Sequence, residues 1–105
     1  MDNKLQPACQ EVIVMTDEVR VRIMHLAAGE CAVWHFHHQV TENIFALSGQ
    51  VVVRFRDATP ERTLGPGERC EIATGMVHRV HNPLNAPSSY LLVQAGGAYD
   101  FNAIV

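Results

Sequence analysis

The segment AVWHFHHQVTENIFALSG, residues 32–49, contains three of the chain's six histidines, His35, His37 and His38, followed by Glu42. If the segment begins as a β-strand, alternate side chains share a face, so that His35 and His37 lie together and His38 lies opposite. Two imidazoles on one strand face can converge on a single point, as a metal ion requires. The pair alone is a weak signal, because histidine pairs also occur on exposed strands. The segment therefore indicates either a metal site or a histidine-rich polar strand.

A carboxylate and a third imidazole are available to complete a metal site. Glu42 follows the histidine pair after four residues, and a tight connection would return it to the pair. His78 lies much further along the chain, at the start of a short strand-like segment, VHRVH. Such a mixed N/O set suits Mn, Fe, Co, Ni, Cu or Zn and suits Ca and Mg poorly. Three or four protein ligands also leave room for water or substrate on an octahedral metal, which is typical of a catalytic site.

Two motifs with regular spacing contain these residues. The first, over residues 29–49, has the form G-x5-H-x-H-x4-E-x6-G, and the second, over residues 67–82, has the form G-x5-A-x-G-x2-H-x3-N. These spacings match the two signature motifs of the cupin superfamily. The sequence resembles a small single-domain cupin of the cupin 2 conserved-barrel family over roughly residues 20–95. Ala73 departs from the family pattern, which usually has proline at this position.

The resemblance implies both a fold and a site. The fold would be all-β, a cupin-type double-stranded β-helix or jelly-roll barrel, with the site between two antiparallel sheets. The ligands of one divalent transition metal would be His35, His37, Glu42 and His78. Iron, manganese, nickel and zinc are the candidate metals, and Asn82 is expected to support a turn rather than to bind metal. The resemblance also implies a homodimer, and the strand-like segment EVIVM, residues 11–15, is suited to cross to a neighbouring copy.

The pattern of turns and short apolar runs independently indicates an all-β domain. Turn signals such as LSGQ, LGPGE and NPLNAPSS separate runs that are rich in β-branched and aromatic residues. A spacing of about 8–12 residues between such signals is typical of a sandwich or a barrel. The segment VRVRIMHL, residues 19–26, alternates apolar residues with arginines as a half-buried strand does. No window shows the apolar period of an amphipathic helix, and we expect eight or so short antiparallel strands.

Composition and charge exclude several classes of protein. The chain has 105 residues, which suffice for one domain, residues 1–105, and are too few for two. Only 8 Lys and Arg residues are present and the net charge is −3, which argues against nucleic-acid binding. No apolar run approaches the ~20 residues that span a bilayer, and MDNKLQPACQE at the start lacks the apolar region of a secretory signal. Three cysteines without CxxC spacing indicate reduced thiols, so we expect a cytoplasmic protein that does not associate with membranes.

Several side chains outside the ligand set are candidates for the lining of the site. Cys31 shares the expected face of His35 and His37, and Cys70 lies within the second motif, so either thiol could point into the barrel. No motif position covers three further histidines, expected at the surface or the rim: His25, His38 and His81. Candidates for acid, base or orienting groups lie on strands whose facing the sequence leaves open, and they are Gln50, Arg54, Arg56, Tyr90 and Gln94.

Three functions are compatible with such a site. The first is a metal-dependent enzyme, a dioxygenase, isomerase, lyase or decarboxylase, acting on a small molecule with the metal as Lewis acid. The second is a non-catalytic module that senses or stores a small molecule or metal. In the third, the metal only stabilises the barrel. The fold does not decide among these functions, but acid and base groups in the pocket lining would favour an enzyme.

Overall fold

The computed structural model describes residues 9–104, which form two antiparallel five-stranded sheets. The strands, in chain order, are β1 (Cys9–Met15), β2 (Val19–Leu26), β3 (His35–Phe36), β4 (Thr41–Ser48), β5 (Val51–Phe55), β6 (Arg62–Leu64), β7 (Arg69–Ile72), β8 (His78–His81), β9 (Ser88–Ala95) and β10 (Asn102–Ala103). The first sheet has the order β1-β2-β9-β4-β7 and the second the order β10-β3-β8-β5-β6. The all-β architecture expected from the sequence is confirmed.

Two predictions from the sequence concern the number of domains and membrane-spanning segments. The single domain expected over residues 1–105 includes residues 1–8 and 105, which lie outside the described residues, and it stays a prediction. Within residues 9–104, no helix is long and apolar enough to cross a membrane.

The hydrophobic core lies between the two sheets. Because side chains alternate across a strand, every second residue of a strand points to the space between the sheets. These inward residues form one cluster, whose members are Met24, Leu26, Ile44, Ala46, Val51, Val53, Leu64, Cys70, Ile72, Val80, Tyr90 and Leu92. Complete burial of a single aliphatic side chain is worth about 1.5–3 kcal/mol, so the cluster is the main source of stability for the barrel.

Strand β2 turns its arginine face, not its valine face, toward the interior. Arg22 is 2% exposed, and Met24 and Leu26 continue the same face into the core. Val21 and Ile23 lie on the outer face and are only half-buried. An inward arginine is tolerated here because its guanidinium is hydrogen-bonded inside the barrel, as described below. The alternation predicts the strand correctly but leaves open which face lies inside.

The strands differ from the sequence-based expectation in two places. Only His35 and Phe36 of the segment CAVWHFH form a strand, and Cys31 makes an isolated bridge to His81. Strands β6 and β10 were not expected, because they have three and two residues and their segments lack a run of alternating apolar residues. Both strands lie at the edges of the second sheet, where pairing on one side suffices.

Asn82, the last residue of the second motif, holds together the loops at one end of the barrel. Its side chain is 0% exposed. Its Nδ2 group donates to the carbonyls of Ala27 at 3.0 Å and Ala86 at 2.8 Å, and its Oδ1 atom accepts from the backbone N–H of Leu84 at 2.9 Å. These bonds join the loop before β9 to the end of β2, so the structure places Asn82 in the turn-supporting role that the sequence suggested.

Replacing Asn82 by alanine is expected to lower the free energy of unfolding by about 2–4 kcal/mol, because buried backbone groups then lose their partners. The matched control is Asn85→Ala, since Asn85 lies exposed in the same loop. Urea unfolding followed by circular dichroism measures both changes. Equal stability of the two variants would contradict the structural role given to Asn82.

Candidate metal centre

The structure brings the four candidate ligands together from both sheets. His35 on β3 pairs directly with His78 on β8 in the second sheet, and His37 follows β3 on the same face as His35. Glu42 on β4 reaches them from the first sheet. The side chains are 7%, 3%, 1% and 3% exposed for His35, His37, His78 and Glu42. One ligand atom from each residue lies within 4.8 Å of all the others.

The separations of these atoms are close to those expected around a single ion. The Oε1 atom of Glu42 lies 2.5 Å from Nε2 of His78 and 3.5 Å from Nε2 of His37. At metal–nitrogen distances of about 2.0–2.1 Å, two ligands lie about 3 Å apart at right angles and about 4 Å apart when opposite. Neither Glu42 Oε1 nor His78 Nε2 has a hydrogen-bond partner among the described residues, although both atoms are buried. Unsatisfied buried polar atoms are costly, and a shared cation would satisfy them.

Backbone carbonyls orient all three imidazoles. The Nδ1 atoms of His35 and His78 lie 2.9 Å and 2.8 Å from the carbonyls of Val33 and Met76. The Nδ1 atom of His37 contacts the carbonyl of Asp100. A carbonyl only accepts hydrogen bonds, so each Nδ1 carries a proton and each Nε2 is the nitrogen left to face the centre. This arrangement is typical of histidines that bind metal through Nε2.

Burial and neighbouring side chains shift the pKa values of His35, His37 and Glu42. Burial and the neighbouring His78 lower the pKa of His35 to about 4. Burial acts to lower the pKa of His37, but its contact with Glu42 outweighs this effect and raises the pKa above the ordinary value. Burial acts to raise the pKa of Glu42, yet its contacts with His37 and His78 hold that pKa well below its usual range. The site therefore keeps an anionic carboxylate beside a neutral His35 at neutral pH.

Arg22 and Gln94 form a chain of hydrogen bonds that ends at the carboxylate of Glu42. The Nε2 group of Gln94 donates to Oε2 of Glu42 at 2.8 Å, and its Oε1 atom accepts from Nη2 of Arg22 at 2.7 Å. Gln94 and Glu42 are also direct partners in the pairing of β9 with β4. This contact fixes the amide so that Oε2 of Glu42 is engaged, and Oε1 faces the histidines.

The segment after β9 covers the site. Phe101 stacks on His35 with ring centroids 4.6 Å apart, and the Tyr99 ring lies 5.5 Å from that of His37. Asp100 contacts His37 through its carbonyl and His38 through its carboxylate. Strand β10 then pairs with β3 and holds this segment against the barrel. The aromatic rings cover the imidazoles on this side.

A small cavity of about 30 Å³ adjoins the four candidate ligands. On this measure, it holds about two water molecules. Beyond the candidate ligands, its walls are formed by Arg22, Met24, Ala32, Ile44, Val80, Tyr90, Leu92, Gln94, Tyr99 and Phe101. Most of these walls are apolar.

Two of the five polar candidates named from the sequence line this cavity, Tyr90 and Gln94. Gln50 and Arg56 are exposed and Arg54 is half-exposed, 3.4 Å from Glu61, so these three lie outside the cavity. Burial raises the pKa of Tyr90 far above its ordinary value, so this hydroxyl stays protonated. The sequence-based candidates did not include Arg22, Tyr99 and Phe101, which also line the cavity. In the sequence, the alternating arginines of β2 and the aromatic residues after Gly97 could have indicated these lining residues.

The other three histidines and the three cysteines lie outside the set of candidate ligands. His38 is exposed beside Asp100, His25 is 2.7 Å from Glu11, and His81 is half-buried. Cys31 is exposed, so the expectation that it points into the barrel is wrong, because the chain at Cys31 is not part of β3. Cys70 is buried in the hydrophobic core and is not part of the cavity wall.

Comparison with known proteins identifies the family. The family model of the cupin domain matches residues 22–94, well over half of the chain. The chain belongs to the cupin family, as the two motifs predicted. No curated protein sequence matches the chain significantly.

Solved structures share the fold. An uncharacterized conserved protein with a double-stranded β-helix domain from Klebsiella pneumoniae superposes with a TM-score of 0.80 at 21% identity, over 92% of this chain and 84% of that one. The protein TT1209 from Thermus thermophilus gives 0.73 at 26% identity, over 92% and 96%. The DMSP lyase DddQ from Ruegeria pomeroyi gives 0.72 at 21% identity, over 84% of this chain and 46% of the lyase, so the chain spans about half of that protein. These similarities confirm the double-stranded β-helix fold.

The lowered pKa of His35 predicts how the stability of the metal-free protein depends on pH. Between pH 6.5 and about 4 the unfolded chain protonates His35 and the folded protein does not. The free energy of unfolding therefore has its full value above pH 6.5. Because of His35, it falls by about 3 kcal/mol as the pH drops toward 4. The shifted pKa values of His37 and Glu42 also make stability depend on pH. The effect of His35 is therefore measured as the difference between a variant and the wild type.

We expect the His35→Asn protein to lose less stability than the wild type over this range, by about 3 kcal/mol. Urea unfolding with EDTA at several pH values measures the difference. His25→Asn, which changes a partly exposed histidine outside the cluster, is the control. Parallel curves for His35→Asn and the wild type would contradict the assigned environment of His35.

Proposed function

We propose that this chain is a single-domain cupin that binds one divalent transition metal and uses it to act on a small molecule. The proposed metal ligands are His35, His37, Glu42 and His78. The observation that carries the proposal is the convergence of three Nε2 atoms and one carboxylate oxygen, all buried, within 4.8 Å of one another. That these four residues bind metal stays a prediction from the sequence, and the geometry supports it.

The donor set limits the choice of metal. Three imidazoles and one carboxylate favour iron, manganese, nickel or zinc over calcium or magnesium. Four protein ligands leave two positions open on an octahedral ion, and a cavity adjoins the cluster. A bound ion would act as a Lewis acid toward an oxygen of the ligand held in this cavity. Gln94 and the three backbone carbonyls hold the protein ligands in place, while Phe101 and Tyr99 limit the access of water.

An enzyme of the dioxygenase, isomerase or lyase class is the form of this function that the site supports best. A bound ion with open coordination positions would supply the Lewis acid, and Arg22, Gln94 and Tyr99 would orient a substrate beside it. One structural neighbour is a DMSP lyase, which agrees with a lyase but at 21% identity does not select the reaction. The substrate must be small, since the cavity measures about 30 Å³.

Non-catalytic binding of a small molecule or metal is the second candidate function. It is favoured by the mostly apolar walls of the cavity and by the high pKa of Tyr90, which keeps that hydroxyl from acting as a base at neutral pH. Turnover of a small-molecule substrate by the loaded protein would exclude this alternative.

Metal binding is tested by elemental analysis and zinc titration of protein purified without a nickel column. We expect about one transition metal per chain, bound at least ~100-fold more weakly in His78→Ala, because this variant removes a ligand. His81→Ala is the matched control, since His81 lies on the same strand with its side chain outside the cavity. A wild type that takes up none of iron, manganese, nickel or zinc, or equal affinity in the two variants, would contradict the proposal.

We also propose that the protein is a homodimer in which a partner copy covers β1. All seven residues of β1 are exposed, and β1 forms an edge of the first sheet. Val12, Ile13, Val14 and Met15 are 41–56% exposed. A long apolar edge strand is prone to pair with another chain unless it is covered. The expected partner is a second copy of the same chain.

Light scattering after gel filtration tests the dimer. We expect twice the chain mass for the wild type and the monomer mass for Ile13→Lys, because a charge in the covered strand opposes association. Thr63→Lys is the control, since Thr63 is an exposed residue of β6. A monomeric wild type would refute the proposal.

A cytoplasmic location is proposed as well, on the basis of the thiols. Cys9, Cys31 and Cys70 are all free of disulfides. Free thiols are typical of proteins in reducing compartments.

A further inference from the structure

Strand β2 places a buried positive charge at the wall of the candidate site. Arg22 is 2% exposed and lines the cavity beside the four candidate ligands. Burial of a charge carries a large desolvation cost, which hydrogen bonds only partly offset. The same face of β2 carries Met24 and Leu26, which fill the interior without that cost. The position of Arg22 therefore points to a role in ligand binding.

The guanidinium of Arg22 is held in a defined orientation. Its Nη2 group donates to Gln94 at 2.7 Å and its Nη1 group donates to Gln10 at 2.9 Å. The ring of Tyr99 lies 5.9 Å from its central carbon, and the guanidinium of Arg20 stacks on that same ring at 3.8 Å. Gln94 in turn donates to Glu42, so a single amide group separates Arg22 from the candidate metal ligand.

We propose that Arg22 binds the carboxylate of a small ligand, so that the site selects small carboxylates held between the guanidinium and the metal centre. This inference rests on the proposed function, because the metal centre forms the other end of the binding site.

The chemistry of the cavity favours a carboxylate over a neutral ligand. A guanidinium carries five N–H donors in a planar fork that matches the two oxygens of a carboxylate, and it stays charged at any working pH. The apolar walls, among them Ile44 and Leu92, reduce the screening of this charge. The carboxylate of Glu42 opposes an anion, but a cation bound at the proposed metal centre would offset its charge.

The size of the cavity limits the ligand to a few non-hydrogen atoms. A volume of about 30 Å³ holds about two water molecules on this measure. Formate and acetate are therefore suitable probes, and formamide and acetamide are neutral controls of nearly the same shape.

The test is a titration of zinc-loaded protein with acetate and with acetamide, followed by ¹⁵N NMR. Zinc is redox-inactive, so no reaction interferes with the measurement. We expect acetate to bind at least ~10-fold more tightly than acetamide, since hydrogen bonds to charged groups are worth about 1.5–3 kcal/mol. The Arg22 Nε–H resonance is expected to shift with acetate and not with acetamide.

Two variants separate the role of Arg22 from a merely structural one. Arg22→Gln removes the charge and should weaken acetate binding at least ~10-fold, with a much smaller effect on acetamide, which carries no charge. Arg22→Lys keeps the charge but lacks the planar guanidinium, and it should retain part of the preference for acetate over acetamide. Arg54→Gln is the matched control, because Arg54 lies outside the cavity and is half-exposed.

The outcomes distinguish this inference from the proposed function. Equal binding of acetate and acetamide by zinc-loaded wild type overturns the inference, whether or not Arg22→Gln folds. Unchanged acetate affinity in a folded Arg22→Gln protein also overturns it. Zinc content is measured on the same samples, and only a protein that takes up none of iron, manganese, nickel or zinc contradicts the proposed function. An acetate preference in that metal-free protein, lost in Arg22→Gln, would still support Arg22 as the carboxylate site.

Discussion

The architecture of this protein depends on a buried carboxylate, Glu42, that faces three imidazoles from the opposite sheet. An isolated carboxylate in a barrel interior would be strongly destabilising or would become protonated. Here its pKa is held low by His37 and His78, and its second oxygen is engaged by Gln94. The two sheets must therefore lie in one relative position for this contact to form, and that position also creates the adjoining cavity.

The backbone supplies the rest of the organisation. Carbonyls of Val33, Met76 and Asp100 fix the imidazoles, and each comes from a different loop or turn. The contact of Asp100 gives the segment after β9 a direct part in the site. This segment completes the orientation of His37 and lays Phe101 over His35. Metal binding at such a site is expected to stabilise the folded protein, because the unfolded chain has no comparable cluster.

The sequence allowed the fold and the convergence of the four candidate ligands to be predicted. Strand alternation placed His35 and His37 on one face, and the resemblance of the two motifs to those of cupins identified Glu42 and His78 as the other candidate ligands. The positions of Arg22 and Cys31 could not be predicted. An arginine that alternates with valines ordinarily marks an exposed face, and its bond to Gln94, 72 residues away, cannot be predicted from the local pattern. Cys31 was misplaced because the strand around His35 is much shorter than its apolar pattern suggests.

The central claim is that three imidazoles and one carboxylate converge on a single metal ion. X-ray absorption spectroscopy of the zinc-loaded protein tests this claim most directly, because it reports the identity and distance of the coordinating atoms. The account predicts three imidazole nitrogens and at least one oxygen at about 2.0–2.2 Å, with no sulfur. A sulfur contribution at about 2.3 Å, or a shell of oxygen atoms without imidazole scattering, would contradict it.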